Sequence, residues 1–125
     1  MGVVNYTDER TILQVNVRPA SYGDDLNRLG LQEAQGKRMF TTDRELAAAV
    51  FTYPRLVCAT VSGTLVLDGV EVPWPPTPEQ ILEISADAIN AWYLEVKKLN
   101  PTWFPDFEEL EKKAREMTLQ TESST

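Results

Sequence analysis

Two pairs of adjacent carboxylates, Asp24-Asp25 and Glu108-Glu109, and one thiol, Cys58, are the side chains here whose types could do chemistry. Paired carboxylates can share the roles of general acid and base or hold a divalent cation. A cysteine can act as nucleophile or metal ligand once it is deprotonated. The spacing argues against each of these uses. Adjacent residues on a helix do not face each other, and neither acidic pair has the alternating oxygen ligands of a calcium loop. The sequence contains no histidine, which removes the usual base at neutral pH, the customary partner of a cysteine nucleophile and the commonest metal ligand. Cys58 sits among Leu56, Val57 and Ala59 and reads as a core thiol. The glycines at 23, 30, 36, 63 and 69 fit neither the dinucleotide fingerprint nor the phosphate loop. These residues predict a protein that is not an enzyme and uses no metal or cofactor.

What remains is aromatic. Trp92, Tyr93, Trp103 and Phe104 fall close together at the end of the best-patterned stretch of the chain, and aromatic side chains serve two purposes. They are large contributors to small cores, and they are enriched at the centres of interfaces. In one reading Trp92 is core, Tyr93 lies at its edge, and Trp103-Phe104 fold back to cap the domain. In the other, part of the set is exposed, and all four are candidate partner contacts.

The composition narrows the partner. Nineteen acidic against twelve basic residues give a formal charge of −7, which disfavours the phosphate backbone of nucleic acid and anionic lipid surfaces. A single cysteine allows no intrachain disulfide and fits a reducing compartment. No run is long and apolar enough to span a membrane, and Met1 to Tyr6 has neither a basic nor an apolar leader region. A cytoplasmic chain is expected. Its 125 residues suit one domain, placed at 1–118 with a polar tail at 119–125.

The elements that must position the aromatics follow from periodicity and capping. Leu13, Val15 and Val17 alternate with polar residues, so Thr11 to Val17 is read as a strand. Tyr22 to Gln35 spaces its leucines unevenly around Gly23 and Gly30 and is read as a short helix or turn. Thr42-Asp43-Arg44-Glu45 has capping-box spacing, opening a helix that Pro54 should stop. Tyr53 to Val61 is then a second short helix or, from its β-branched residues, a strand. Asp68-Gly69 sets a hairpin between Thr64 to Leu67 and Val70 to Val72. Pro73-Trp74-Pro75-Pro76 is an extended linker to a second capping box, Thr77 to Gln80. Ile81, Leu82 and Ile84 should pack inward, and from Ser85 the residues Ile89, Trp92, Tyr93, Val96 and Leu99 line one side of a helix that Asn100-Pro101 ends. Phe107, Leu110, Ala114 and Met117 pattern a last helix. The expected fold is α+β and mainly α-helical, a small antiparallel β element packed on a helical bundle.

On this order of features the chain resembles the tail assembly chaperones of long-tailed bacteriophages. The residues that carry the resemblance are Val17-Arg18-Pro19-Ala20, Tyr53-Pro54-Arg55-Leu56-Val57-Cys58-Ala59-Thr60-Val61, Trp74-Pro75 and Asn90 to Pro101, within roughly 11–105. The resemblance implies a non-enzymatic protein of the bacterial host cytoplasm that binds the tape measure protein, keeps it soluble and helps recruit tail tube protein. Homo-oligomerisation on that partner is compatible with the role, and the family implies a longer frameshifted form arising near Lys112-Lys113. The Leu65 to Val72 hairpin is longer than a mainly helical family leads one to expect. The alternative is a structural virion component, such as a tail-completion or head-to-tail connector subunit.

Overall fold

Strand β2 (Thr11–Val17) forms where the alternation places it, with Thr11, Leu13, Val15 and Val17 buried while Ile12 and Gln14 face outward. It is a central strand of a four-stranded antiparallel sheet of order β1-β2-β3-β4. These are features of a computed structural model that describes residues 2–104. Helices occupy about half of those residues and strands just under a quarter, so the fold is α+β. The proposed last helix, the boundary at 118, the 119–125 tail and Glu108-Glu109 lie outside the described residues.

The sheet is larger than the expected element because β1 (Gly2–Thr7) adds an edge strand that the sequence reading did not include. Val4 and Tyr6 of β1 face Val15 and Leu13 on the core side. Asp8 holds the turn that joins the two strands: its carboxylate accepts from the Arg10 and Thr11 amides, each at 2.7 Å, and from the Tyr6 phenol at 2.7 Å. Bonds from Ser85 and Tyr6, followed by those amides, hold the Asp8 carboxyl well below the usual carboxylate range. The bond to Asp8 is also the largest cause pushing the Tyr6 phenol up to about 12.

Strand β3 (Thr60–Leu67) pairs with β2 through a register shift at Asn16/Val17, and the short β4 (Val70–Val72) returns along it. Asp68 and Gly69 both have positive φ, 50° and 80°, the conformation a tight two-residue hairpin requires.

Helix α1 (Tyr22–Gly36) is a full helix of 15 residues rather than a short turn. Ser21 and Asp24 form a reciprocal capping box at its start, and Asp24 also receives the Arg18 guanidinium at 2.8 and 3.2 Å. Burial, the largest single influence on Asp24, raises its pKa, but the Ser21 amide and Arg18 outweigh it and the net shift is downward.

Helix α2 (Asp43–Ala47) starts at the Thr42 cap, where the Thr42 hydroxyl accepts from the Glu45 amide at 3.2 Å. The Glu45 carboxylate returns to the Thr41 amide instead of that of Thr42. Pro54 does not stop the helical path. A π-turn over Ala48–Thr52 carries the chain into α3 (Tyr53–Cys58), with the Tyr53 N–H bonded to the Ala48 carbonyl. The wider turn places Pro54 in the first turn of α3, where a missing N–H is tolerated. Tyr53 to Val61 thus combines both expected forms, helix to Cys58 and strand from Thr60.

The Pro73 to Pro76 segment is a strap over the core. The Trp74 ring lies against Gly63, where a Cβ would collide with it, and the buried Pro76 carbonyl accepts from the Tyr53 phenol at 2.6 Å. Both halves of the Thr77-Gln80 box form and open α4 (Pro78–Ile81). After a break, α5 (Ala86–Leu99) follows and packs on β1 and β2. Among the described residues no helix is long and apolar enough to cross a membrane.

Candidate functional site

The end of α5 builds the site. Asn100 is buried, its Oδ1 accepts from the Ala20 amide at 2.6 Å, and its Nδ2 donates to the Arg18 carbonyl at 3.1 Å. The residue that caps the helix with its backbone N–H therefore also pins, with its side chain, the connection between β2 and α1. Pro101–Trp103 then form a 3-10 turn that folds the chain back onto α1 and α3.

Two arginines receive the returning aromatics. The Arg28 guanidinium from α1 lies 5.0 Å from the Trp103 ring centroid, and that of Arg55 from α3 lies 5.6 Å from the centroid of Phe104. Arg55 Nε donates to the Trp103 carbonyl at 2.8 Å, and Arg28 Nη2 to Asp25 at 2.9 Å. Tyr93 meets Phe104 edge to face at 4.6 Å. Burial, with the like charge of Arg28 as a smaller contribution, lowers the pKa of Arg55; a guanidinium stays charged under such a shift. The Nε atom of Arg28 is buried without a hydrogen-bond partner among the described residues.

Beside this cluster opens a cleft of about 390 Å³, lined by Ala20, Ser21, Tyr22, Asp25, Arg28, Asn100, Thr102 and Trp103. Tyr22 forms its outer lip and is 78% exposed. One and two turns further along α1, Leu26 and Leu29 are each 49% exposed. Tyr22, Leu26 and Leu29 stand four and three positions apart, so they line one face of the helix.

The four aromatic candidates thus divide. Trp92 is wholly buried. Its indole N–H donates to the Thr60 hydroxyl at 2.9 Å and its ring lies 5.7 Å from that of Trp74, so it offers no surface to a partner. Trp103 and Phe104 are 7% and 9% exposed and Tyr93 is half-buried; these three cluster with Arg28 and Arg55, and of the five Trp103 and Arg28 line the cleft. The apolar surface itself lies on α1, in residues that the sequence reading placed on a short helix or turn and did not single out.

The groups that could have done chemistry are committed elsewhere. Asp24 is tied to Arg18 and Ser21, and Asp25 to Arg28. Cys58 is half-buried at the margin of the core rather than inside it, and burial pushes its thiol up, away from the reactive thiolate. No group of three or more His, Cys, Asp or Glu converges among the described residues. Comparison of the chain with protein-family models, curated proteins and solved structures returns no match.

Proposed function

We propose that this chain is a non-enzymatic partner-binding protein whose α1 face and adjoining cleft receive an apolar helix, and that it acts as a phage tail assembly chaperone in the bacterial host cytoplasm. The observation that carries the binding role is the exposed row Tyr22, Leu26 and Leu29 leading from the cleft wall formed by Arg28 and Trp103. A row spaced four and three residues apart is the ridge against which another helix packs. The aromatic and arginine wall beside it is pinned from three elements, which limits the ordering that binding would otherwise require.

The chaperone identity rests on the resemblance, and the segments that carry it have structural work to do in this fold. Tyr53 to Val61 supplies Arg55 and Thr60, Trp74-Pro75 straps the core, and Asn90 to Pro101 delivers Trp92 and Asn100. A long helical tape measure protein is a partner of the class this surface suits. The charge of −7 would help hold a complex of many copies in solution. Recruitment of tail tube protein belongs to the same proposal.

Co-expression with the tape measure protein encoded beside it tests the reading. Soluble tape measure protein that co-purifies with several copies of the chain supports it. An insoluble partner, together with this chain in a mass-spectrometric inventory of purified virions, would favour the structural-component alternative.

A further inference from the structure

The second surface lies at the opposite side of the sheet from β4. Strand β1 is an edge, and the strand at the other edge, β4, is blunted by its three-residue length and by Pro73. Among the described residues strand β1 has no such protection. Its six residues, Gly2 to Thr7, include no charge and no proline, the features that ordinarily keep an edge from pairing. The Asp8 amide donates to the Thr11 carbonyl at 2.9 Å. Because antiparallel pairs alternate, that bond places the N–H and C=O of Val3, Asn5 and Thr7 on the side away from β2. Among the described residues no hydrogen bond reaches those groups.

Helix α5 extends the same side. The Glu95 side chain lies over Gly2, and the Asp87 charge is felt at Tyr6, so the helix runs antiparallel to β1 above it. Beyond Glu95 the helix presents Asp87, Ala91, Leu94 and Lys98, spaced i, i+4, i+7 and i+11 on one flank. Leu94 is 63% exposed there.

We propose that β1 pairs antiparallel with β1 of a second copy of this chain about a two-fold axis through Val4, making one continuous eight-stranded sheet. The occupant is a second copy because both layers are self-complementary about one axis. In the sheet, Val3 and Asn5 of each copy exchange backbone hydrogen bonds with Asn5 and Val3 of the other, and inward residues stay opposite inward residues. In the helix layer, Ala91 meets Leu94 of the other copy and Asp87 meets Lys98, two pairings that share one midpoint on α5. That midpoint lies above the Gly2 to Tyr6 stretch, where the strand axis also falls. Strands about 4.8 Å apart, with α5 in contact with β1 and β2, set the two helix axes roughly 10 Å apart, a normal packing distance.

Light scattering on the full chain over a concentration series tests this. The expected particle contains two chains. Asn5→Pro, which removes an outward N–H while leaving the bonds to β2, should weaken the dimer at least tenfold, as should Asp87→Lys, which sets lysine against Lys98. The double variant Asp87→Lys/Lys98→Asp should restore it. Circular dichroism confirms that each variant is folded; if Asn5→Pro is not, the charge swap decides alone. A wild-type monomer at every concentration, or a dimer unchanged in folded Asp87→Lys, overturns the proposal.

Discussion

The guanidinium of Arg28 stacks 5.0 Å from the centre of the Trp103 ring, joining the first half of α1 to the turn that ends α5. Through this contact the returning chain is wedged against the helix that carries the exposed apolar row. Trp103→Ala should therefore cost about 3 kcal/mol of stability. Urea denaturation checks it; a loss below about 0.5 kcal/mol would mean that the ring is not wedged.

Trp92 is anchored by a different polar contact. The Thr60 hydroxyl accepts from its indole N–H at 2.9 Å and donates to the Leu56 carbonyl at 2.7 Å. Thr60→Val keeps the shape but removes both bonds, leaving a buried donor and acceptor unpaired. The expected cost is about 1–3 kcal/mol, read from denaturant midpoints at unchanged m-value. A neutral substitution would contradict the assignment of Thr60 as that partner.

Gly63 is set by close approach. The Trp74 ring occupies the space a Cβ would need, so Gly63→Ala must push the ring off Trp92 or bend β3. A loss of about 1–3 kcal/mol is expected, with a change in near-ultraviolet circular dichroism from the displaced indoles. Full native signal and stability would show that the strap is loose.

Acid should loosen the β1–β2 turn. The Asp8 carboxyl is held below its ordinary value, so the stability it contributes is present above the unfolded pKa of about 4 and is lost as the pH falls through the folded value. Asp8→Asn should melt lower than the parent at neutral pH, and the gap should close below about pH 4. Melting curves across that range test it, and a gap independent of pH would remove Asp8 from the account.

Local signals were legible where they were dense. The β2 alternation, the Asp68-Gly69 turn, the Thr77 box and the Asn100-Pro101 stop each appear as read. Pro54 misled because a π-turn, which needs no residue signature of its own, absorbed it. Strand β1 had the signal in Val4 and Tyr6, but so short an alternation at a terminus stands out only once Leu13 and Val15 are seen to pair with it. For α1 the Ser21-Asp24 box was present and outweighed by two glycines, both of which sit where a side chain would meet nothing closer than 3.7 Å. The candidate site was half legible. The aromatics were found, but only tertiary placement separates a wholly buried Trp92 from Trp103 at the cleft wall and Phe104 packed behind it on Tyr93 and Arg55.

The most direct test of the binding face is the triple variant Tyr22→Ser/Leu26→Ser/Leu29→Ser in co-expression with the tape measure protein. These side chains are exposed, so the variant should fold and melt close to the parent. If α1 is the proposed binding face, the variant leaves most of that partner insoluble and does not co-purify with it, whereas the parent keeps it soluble and co-purifies with it. A folded triple variant that rescues the partner as well as the parent would contradict the assignment of α1 as the binding surface.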